Sequence, residues 1–111
     1  MLLRILKMTI LPERLADWLA FTRDTGFPGM LAQPGCRTIH RLRQHGEPHA
    51  YAVLTLWDST EDLARFKASP ALAELSRHSQ GLTILPYEEL LFDVVPDDGE
   101  RQAREGRRVL L

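Results

Sequence analysis

Residues 50–63 read AYAVLTLWDSTEDL, and this stretch decides how the rest of the chain is interpreted. Its first half holds the aromatic and β-branched side chains that favour strands, and it ends at Trp57. Ser59 and two acidic residues follow, so we expect the Ser59 hydroxyl to accept a hydrogen bond from the backbone N–H near Asp62. The stretch therefore predicts a strand that passes directly into a capped helix.

The chain before this stretch predicts two further strands and one helix. Residues 36–43 and 49–57 flank a short connector with Gly and Pro, which is typical of an antiparallel hairpin. Residues 2–10 form a first strand. A helix over residues 12–25 begins with proline, and we expect it to end where Gly and Pro interrupt its apolar face. Residues 27–32 add a short turn of helix.

The chain after this stretch predicts a broken helix and a last strand. Leu63 and Phe66 form the apolar face of the capped helix, and Ser69–Pro70 starts a second helical piece that ends at Gly81. Residues 88–95 form the fourth strand. The order strand, helix, strand, strand, helix, strand predicts an α+β, ferredoxin-like βαββαβ domain over residues 1–96, with a tail over residues 97–111. Its four-stranded antiparallel sheet carries both helices on one face.

Both faces of this sheet are apolar in sequence. In the third strand Ala50, Ala52, Leu54 and Leu56 alternate with Tyr51, Val53, Thr55 and Trp57, and neither set is polar. Two helices cover one face, which leaves roughly 500 Å² of the other without cover. Exposed apolar patches of this size mark interfaces, so we expect a homodimer in which two sheets pack face to face. The alternative is a monomer with an exposed apolar face.

Composition limits the class of protein. The 111 residues fit one domain, with 44% hydrophobic and 26% charged residues, as in a water-soluble globular chain. Fourteen Lys and Arg against fifteen Asp and Glu leave a net charge of -1, which predicts neither a nucleic acid nor a membrane surface as partner. Cys36 is the only cysteine, and the charged N-terminal segment does not read as a secretory signal, so we expect a cytoplasmic protein.

Residues 54–63, followed by Phe66 and by Ser69–Leu72, resemble the antibiotic biosynthesis monooxygenase-like proteins, which are dimeric α+β barrels. The resemblance lies in a strand that ends in tryptophan, a capped helix and a Ser-Pro break. Pro12–Glu13, Pro34–Cys36 and residues 88–95 support it. It covers about residues 1–95 and leaves the tail outside.

The resemblance implies a cofactor-independent monooxygenase that acts on a small electron-rich aromatic, a quinol or phenol-like molecule. Such a substrate reduces O₂ as its own anion, so the protein supplies a dry pocket, a base and donors for developing charge. A haem-degrading relative would carry an asparagine on the first strand, a tryptophan on the second helix and a histidine beyond the Ser-Pro break. This chain has no asparagine, and Phe66 and Ser76 stand at the other two positions. A non-catalytic ligand-binding or structural homodimer of the same fold is the alternative.

Seven side chains are candidates for the site that the resemblance implies. His40 and His78 titrate near neutral pH and can take a phenolic proton, and His49 is a weaker candidate of the same kind. Tyr51 offers a hydroxyl to a bound carbonyl or lies in the dimer interface. Substrate contacts are assigned to Trp57, Phe66 and Arg41.

The histidines lie on separate elements without the spacing of a metal site, so no metal and no cofactor are predicted. An open cavity under Trp57 with a histidine or tyrosine at its wall would favour the enzyme. A space filled by side chains would favour the non-catalytic dimer.

Overall fold

A four-stranded antiparallel sheet organises the computed structural model, which describes residues 1–96. Its strands are β1 (Leu2–Ile10), β2 (Cys36–Arg43), β3 (Ala50–Trp57) and β4 (Thr83–Asp93). They lie in the order β2-β3-β1-β4, so β1 pairs antiparallel with β3 on one side and with β4 on the other. This is the predicted ferredoxin-like α+β arrangement, which is confirmed. The tail predicted over residues 97–111 lies outside the described residues.

The first helical segment is continuous where the sequence predicts a break. A 3₁₀ turn (Pro12–Arg14) leads into α1 (Leu15–Phe21), a π-helical turn (Thr22–Gly26) and α2 (Phe27–Leu31). The helical turn predicted over residues 27–32 is confirmed as α2, but the predicted helix end at residue 25 was wrong. Gly26 keeps a helical backbone, and Pro28 falls in the first turn of α2, where a missing backbone N–H is tolerated.

The second helical segment has the predicted cap and break. Helix α3 (Thr60–Lys67) is capped by Ser59, whose Oγ accepts a hydrogen bond from the backbone N–H of Asp62 at 3.1 Å. Helix α4 (Pro70–Ser79) begins at the Ser-Pro pair. Its proline occupies the first turn, so the chain restarts a helix there without losing a needed hydrogen bond.

Strand β4 begins at Thr83, five residues before the predicted start, and ends at Asp93 instead of Val95. The added part of the strand contains Pro86, although proline cannot donate to a sheet ladder. The structure accommodates it because β4 is an edge strand and because its pairing with β1 shifts register between Lys7 and Thr9.

The two faces of the sheet differ in what covers them. Helices cover one face, and the core beneath them contains two clusters: Leu2, Cys36, Trp57, Leu63 and Phe66, and Met8, Ile10, Trp18, Val53 and Leu82. The opposite face, called here the open face, carries the alternate side chains. Its apolar members include Leu3, Ile5, Leu54, Leu56 and Phe92. Phe92 is 50% exposed.

Among residues 1–96, no helix is long and apolar enough to cross a membrane.

Candidate functional site

An apolar cleft lies between the helices and the helix-covered face of the sheet. Its volume is about 110 Å³, and it opens to solvent on one side. A cavity of roughly 150 Å³ accommodates benzene in a protein core, so the cleft has the scale of one small ring. The apolar walls come from both layers and are formed by Leu6, Met8, Trp18, Phe21, Phe27, Met30, Val53, Phe66, Leu72 and Leu75.

The π-helical turn shapes the helix side of the cleft. Thr22 and Gly26, at its two ends, are buried and line the cleft. The Thr22 hydroxyl donates to the backbone carbonyls of Trp18 and Leu19, both at 3.0 Å, so its polarity is satisfied within the helix. A Cβ on Gly26 would lie 3.3 Å from the Phe21 ring, a close contact. The π turn thus contributes two buried lining residues, and the hydroxyl of Thr22 finds its acceptors within the helix.

Arg4 brings a charge to the sheet side of the cleft. It is 7% exposed, and its Nε donates to Glu89 Oε2 at 2.6 Å. Lys67 Nζ donates to the other carboxylate oxygen of Glu89 at 2.7 Å. Burial raises the pKa of Glu89, but hydrogen bonds from Lys67 and Arg4 outweigh it, and the net pKa is lowered. Two cations therefore share one carboxylate, which leaves this three-residue cluster with a net positive charge.

Hydroxyl groups occupy the end of the cleft where α4 meets β4. Tyr87 lines the cleft, and its hydroxyl is hydrogen-bonded to Thr83 Oγ1. Ser79 Oγ donates to the backbone carbonyl of Ser76 at 3.0 Å. Among residues 1–96, no Asp, Glu or His lines the cleft. Its polar wall can therefore donate hydrogen bonds to an anion, but it offers no carboxylate or imidazole as a base.

Trp57 lies behind the cleft and does not line it. Its side chain is fully buried, and its indole N–H donates to Thr55 Oγ1 at 2.8 Å. Its ring packs against that of Phe66 with centroids 5.4 Å apart. Phe66 does line the cleft, as expected for a substrate contact. The space directly under Trp57 is thus filled by Phe66, and the cleft begins beyond it.

Three other candidates contact aromatic residues of the cleft wall from outside. Tyr51 packs against Trp18 with centroids 5.0 Å apart, and the Arg41 guanidinium lies 5.7 Å from the same ring. His78 stacks near Phe21 at 6.3 Å. It is exposed on the last turn of α4, where its Nε2 lies 3.0 Å from Glu74 Oε1. These three side chains pack behind residues of the cleft wall and do not line the cleft themselves.

His40 lies on the open face, away from the cleft. It pairs with Leu54 across β2 and β3, on the side of the sheet that the helices do not cover. His49 is half-buried just before β3, and its Nδ1 has no hydrogen-bond partner. It does not line the cleft either. Within residues 1–96, no three His, Cys, Asp or Glu side chains come together as metal ligands.

Sequence reasoning missed two polar residues of the cleft, Arg4 and Tyr87. Arg4 left a signal: the even-numbered residues of β1 face the helices, and Arg4 stands among Leu2, Leu6 and Met8 in that set. A charged residue in the buried register of a strand needs a partner or a function. Tyr87 left no such signal, because it stands just before the start predicted for β4 at residue 88.

Comparison with known proteins places this geometry in a family. The family profile of "Antibiotic biosynthesis monooxygenase" matches residues 1–77. The chain belongs to the antibiotic biosynthesis monooxygenase family. No curated protein sequence matches it significantly.

Several solved structures share the fold of this chain. A family protein of Bordetella bronchiseptica is 19% identical with a TM-score of 0.77, over 86% of this chain and 97% of that one. A variant of SnoaB, a cofactor-independent oxygenase from Streptomyces nogalater, is 18% identical with a TM-score of 0.71, over 86% and 94%. Rv0793 from Mycobacterium tuberculosis is 14% identical with a TM-score of 0.70, over 86% and 96%. At these identities the likeness shows the fold alone.

Proposed function

We propose that the chain is a cofactor-independent monooxygenase that acts on a small electron-rich aromatic, a quinol or phenol-like molecule. The observation that carries the proposal is the apolar cleft, which has the scale of one ring and presents N–H and O–H groups at its sheet side. Family membership and the fold shared with SnoaB agree with it. Substrate identity and catalysis are the parts that experiment must test.

The reaction needs little from the protein beyond the cleft. An ionised ring donates electrons to O₂. One oxygen atom becomes a ring carbonyl, and the other leaves as water with the two hydrogens that the ring gives up. Apolar walls hold the flat ring and keep bulk water from its reacting face. The hydroxyl of Tyr87 and the guanidinium of Arg4 stabilise the negative charge that develops on the oxygen of the ring. Both groups are already in place in the cleft wall, so the protein does not have to reorganise during the reaction.

Oxygen uptake with a panel of quinols, phenols and anthrones tests the proposal. We expect uptake with single-ring quinols and a quinone product, and slower uptake with the three-ring anthrones because the cleft has the scale of one ring. The variant Leu75→Trp fills the cleft and should reduce uptake at least tenfold. Leu31→Trp is the matched control, since Leu31 is 46% exposed and lies outside the cleft.

The alternative is a ligand-binding or structural protein without catalysis. Two observations favour it: Phe66 fills the space directly under Trp57, and no carboxylate or imidazole of residues 1–96 lines the cleft, so the expected base is missing there. Uptake that is flat across the panel, with a folded protein that still binds single-ring ligands, would select this alternative and reject the oxygenase.

A homodimer formed through the open face is also part of the proposal. Apolar side chains stand on this face in β1, β3 and β4, and the helices do not cover them. Phe92 and Val94 remain about half exposed in one chain. Burying roughly 500 Å² of such surface on each chain would favour association by about 10 kcal/mol per chain before the costs of binding.

A further inference from the structure

Arg4 has hydrogen-bonding capacity that the protein does not use. An arginine side chain has five N–H donors, and only the one on Nε is engaged, by Glu89. The two terminal nitrogens make no hydrogen bond to any described residue, and neither is fully enclosed by residues 1–96. Arg4 is also one of the residues that line the cleft, and it is the only Lys or Arg among the described residues to do so.

The charge near Arg4 is positive and is held in place. Glu89 accepts from Arg4 on one carboxylate oxygen and from Lys67 on the other. The carboxylate fixes the orientation of the guanidinium, while Lys67 supplies the second cation of the cluster. The helices and β3 bring no carboxylate or imidazole to the cleft, and β4 adds Tyr87 as its only titratable lining group among residues 1–96. An anion bound there would meet positive charge that is not cancelled.

Within the described part of the chain, no carboxylate or imidazole lines the cleft to remove a phenolic proton. A neutral phenol in an apolar cleft would have its pKa raised by desolvation, which opposes ionisation. A nearby guanidinium acts in the opposite direction, because an opposite charge at contact distance favours the ionised form by about 1–3 pKa units.

We infer that Arg4 is the anion-binding residue of the cleft and holds the ionised oxygen of a phenol-like ligand, so that the ligand binds as its phenolate. The inference rests on the proposed function for its ligand class and adds how the ring is activated. The positive cluster replaces the general base: the proton leaves to solvent through the open side, and the phenolate is the form that binds. Glu89 is a positioning residue that orients Arg4.

The test uses 4-nitrophenol, whose visible absorption reports its own ionisation and which is too electron-poor to be an oxygenase substrate. Titrating the bound probe with pH should give a midpoint about one unit or more below that of the free probe. An apolar site without an available cation would move the midpoint upward, so the direction of the shift decides the question with the unmodified protein. A midpoint equal to or above the free value overturns the inference, and so does the absence of binding.

Variants assign the effect to Arg4. Arg4→Met keeps the length of the side chain and should abolish the shift and weaken phenolate binding by roughly tenfold or more, with nitrobenzene affinity changed by less than about threefold. Arg4→Met combined with Glu89→Gln removes the carboxylate together with the guanidinium and should give the same loss of the shift. Arg37→Met is the matched control, because Arg37 is exposed, is paired with Asp58 and does not line the cleft. A shift that survives Arg4→Met, or that is lost in Arg37→Met, refutes the assignment.

A second pair of ligands distinguishes a phenolate site from a carboxylate site. Benzoate and benzamide have nearly the same shape and differ in charge. Benzoate preference without a lowered 4-nitrophenol midpoint would indicate a carboxylate site and reject phenolate binding.

The binding test does not depend on turnover, because 4-nitrophenol is not oxidised. A lowered midpoint with flat oxygen uptake would reject the oxygenase alone. Uptake with no lowered midpoint would reject the role of Arg4 alone.

Discussion

The Thr55 side chain shows how a single hydroxyl supports the back wall of the cleft. Thr55 is 1% exposed, and its Oγ1 accepts the indole N–H of Trp57 at 2.8 Å. Trp57 in turn packs against Phe66, which lines the cleft. A buried N–H left without an acceptor costs about 1–3 kcal/mol. The hydroxyl is therefore the polar contact that lets a large indole be enclosed completely.

Replacing this hydroxyl should destabilise the fold. We expect Thr55→Val, which keeps the shape of the side chain, to lower the free energy of unfolding by about 1–3 kcal/mol in urea titrations at one fixed protein concentration. Thr55→Ser keeps the acceptor and should retain most of the stability that the valine variant loses. Equal stability of the valine variant and the unmodified protein would show that the indole finds another partner.

Strand β2 and helix α3 are joined by a close contact at Gly35. Its backbone lies at φ +85°, in the left-handed region that favours glycine, and a Cβ there would come within 2.6 Å of three atoms of the Asp62 side chain. Asp62 belongs to the first turn of α3 and donates its backbone N–H to Ser59. The Gly35 carbonyl also accepts from the backbone N–H of Asp58 at 2.8 Å. One residue without a side chain therefore lets the entry to β2 sit against the helix cap.

Two alanine substitutions separate the clash from the backbone conformation. Gly46, in the hairpin between β2 and β3, has a similar φ of +81°, but a Cβ at this position would meet nothing within 4 Å. Gly46→Ala should cost about 1–2 kcal/mol for the left-handed conformation. Gly35→Ala should cost roughly 1–3 kcal/mol more, because Asp62 and the start of α3 must move. Thermal or chemical unfolding of both variants measures this difference, and equal losses would remove the role of the contact.

The whole molecule presents two unlike surfaces. Helices shield one face of the sheet, whereas the open face combines Leu54, Leu56 and Ile5 at its centre with Phe92 near the edge. Surface of this kind is usually covered by a partner, and a second copy related by a two-fold axis presents the same apolar surface in return. The proposed homodimer follows from this apolar face as a whole and not from any single residue or strand.

Sedimentation equilibrium at micromolar concentration checks the assembly. We expect a mass of about twice 12.7 kDa for the unmodified chain. Phe92→Glu places a charge on the open face and should return the chain to a monomer that remains folded by circular dichroism. Val95→Glu is the control, since Val95 is 74% exposed beyond the end of β4 and should leave the dimer intact. A single-chain mass for the unmodified protein would reject the homodimer.

Local signals accounted for most of the elements. The Ser59 cap, the restart at Pro70 and the hairpin around Gly46 each depend on a few neighbouring residues, and the structure contains all three. The sequence misplaced the ends of a helix and of a strand near glycine and proline residues, where tertiary contacts let the element continue. The helix continues through the π turn over residues 22–26 into α2, which holds Pro28 in its first turn, and β4 includes Pro86 because an edge strand tolerates a missing donor.

The amino-acid sequence by itself determined the order of helices and strands, the two apolar faces and the family, because capping, periodicity and turn chemistry act over a few residues. Only the tertiary structure decided which side chains meet in the cleft. Arg4, Lys67 and Glu89 are far apart in the chain, and it is the antiparallel pairing of β1 with β4 beside α3 that brings their charges together. The same sheet turns His40 to the opposite face from Arg41, since neighbouring residues on a strand point to opposite sides.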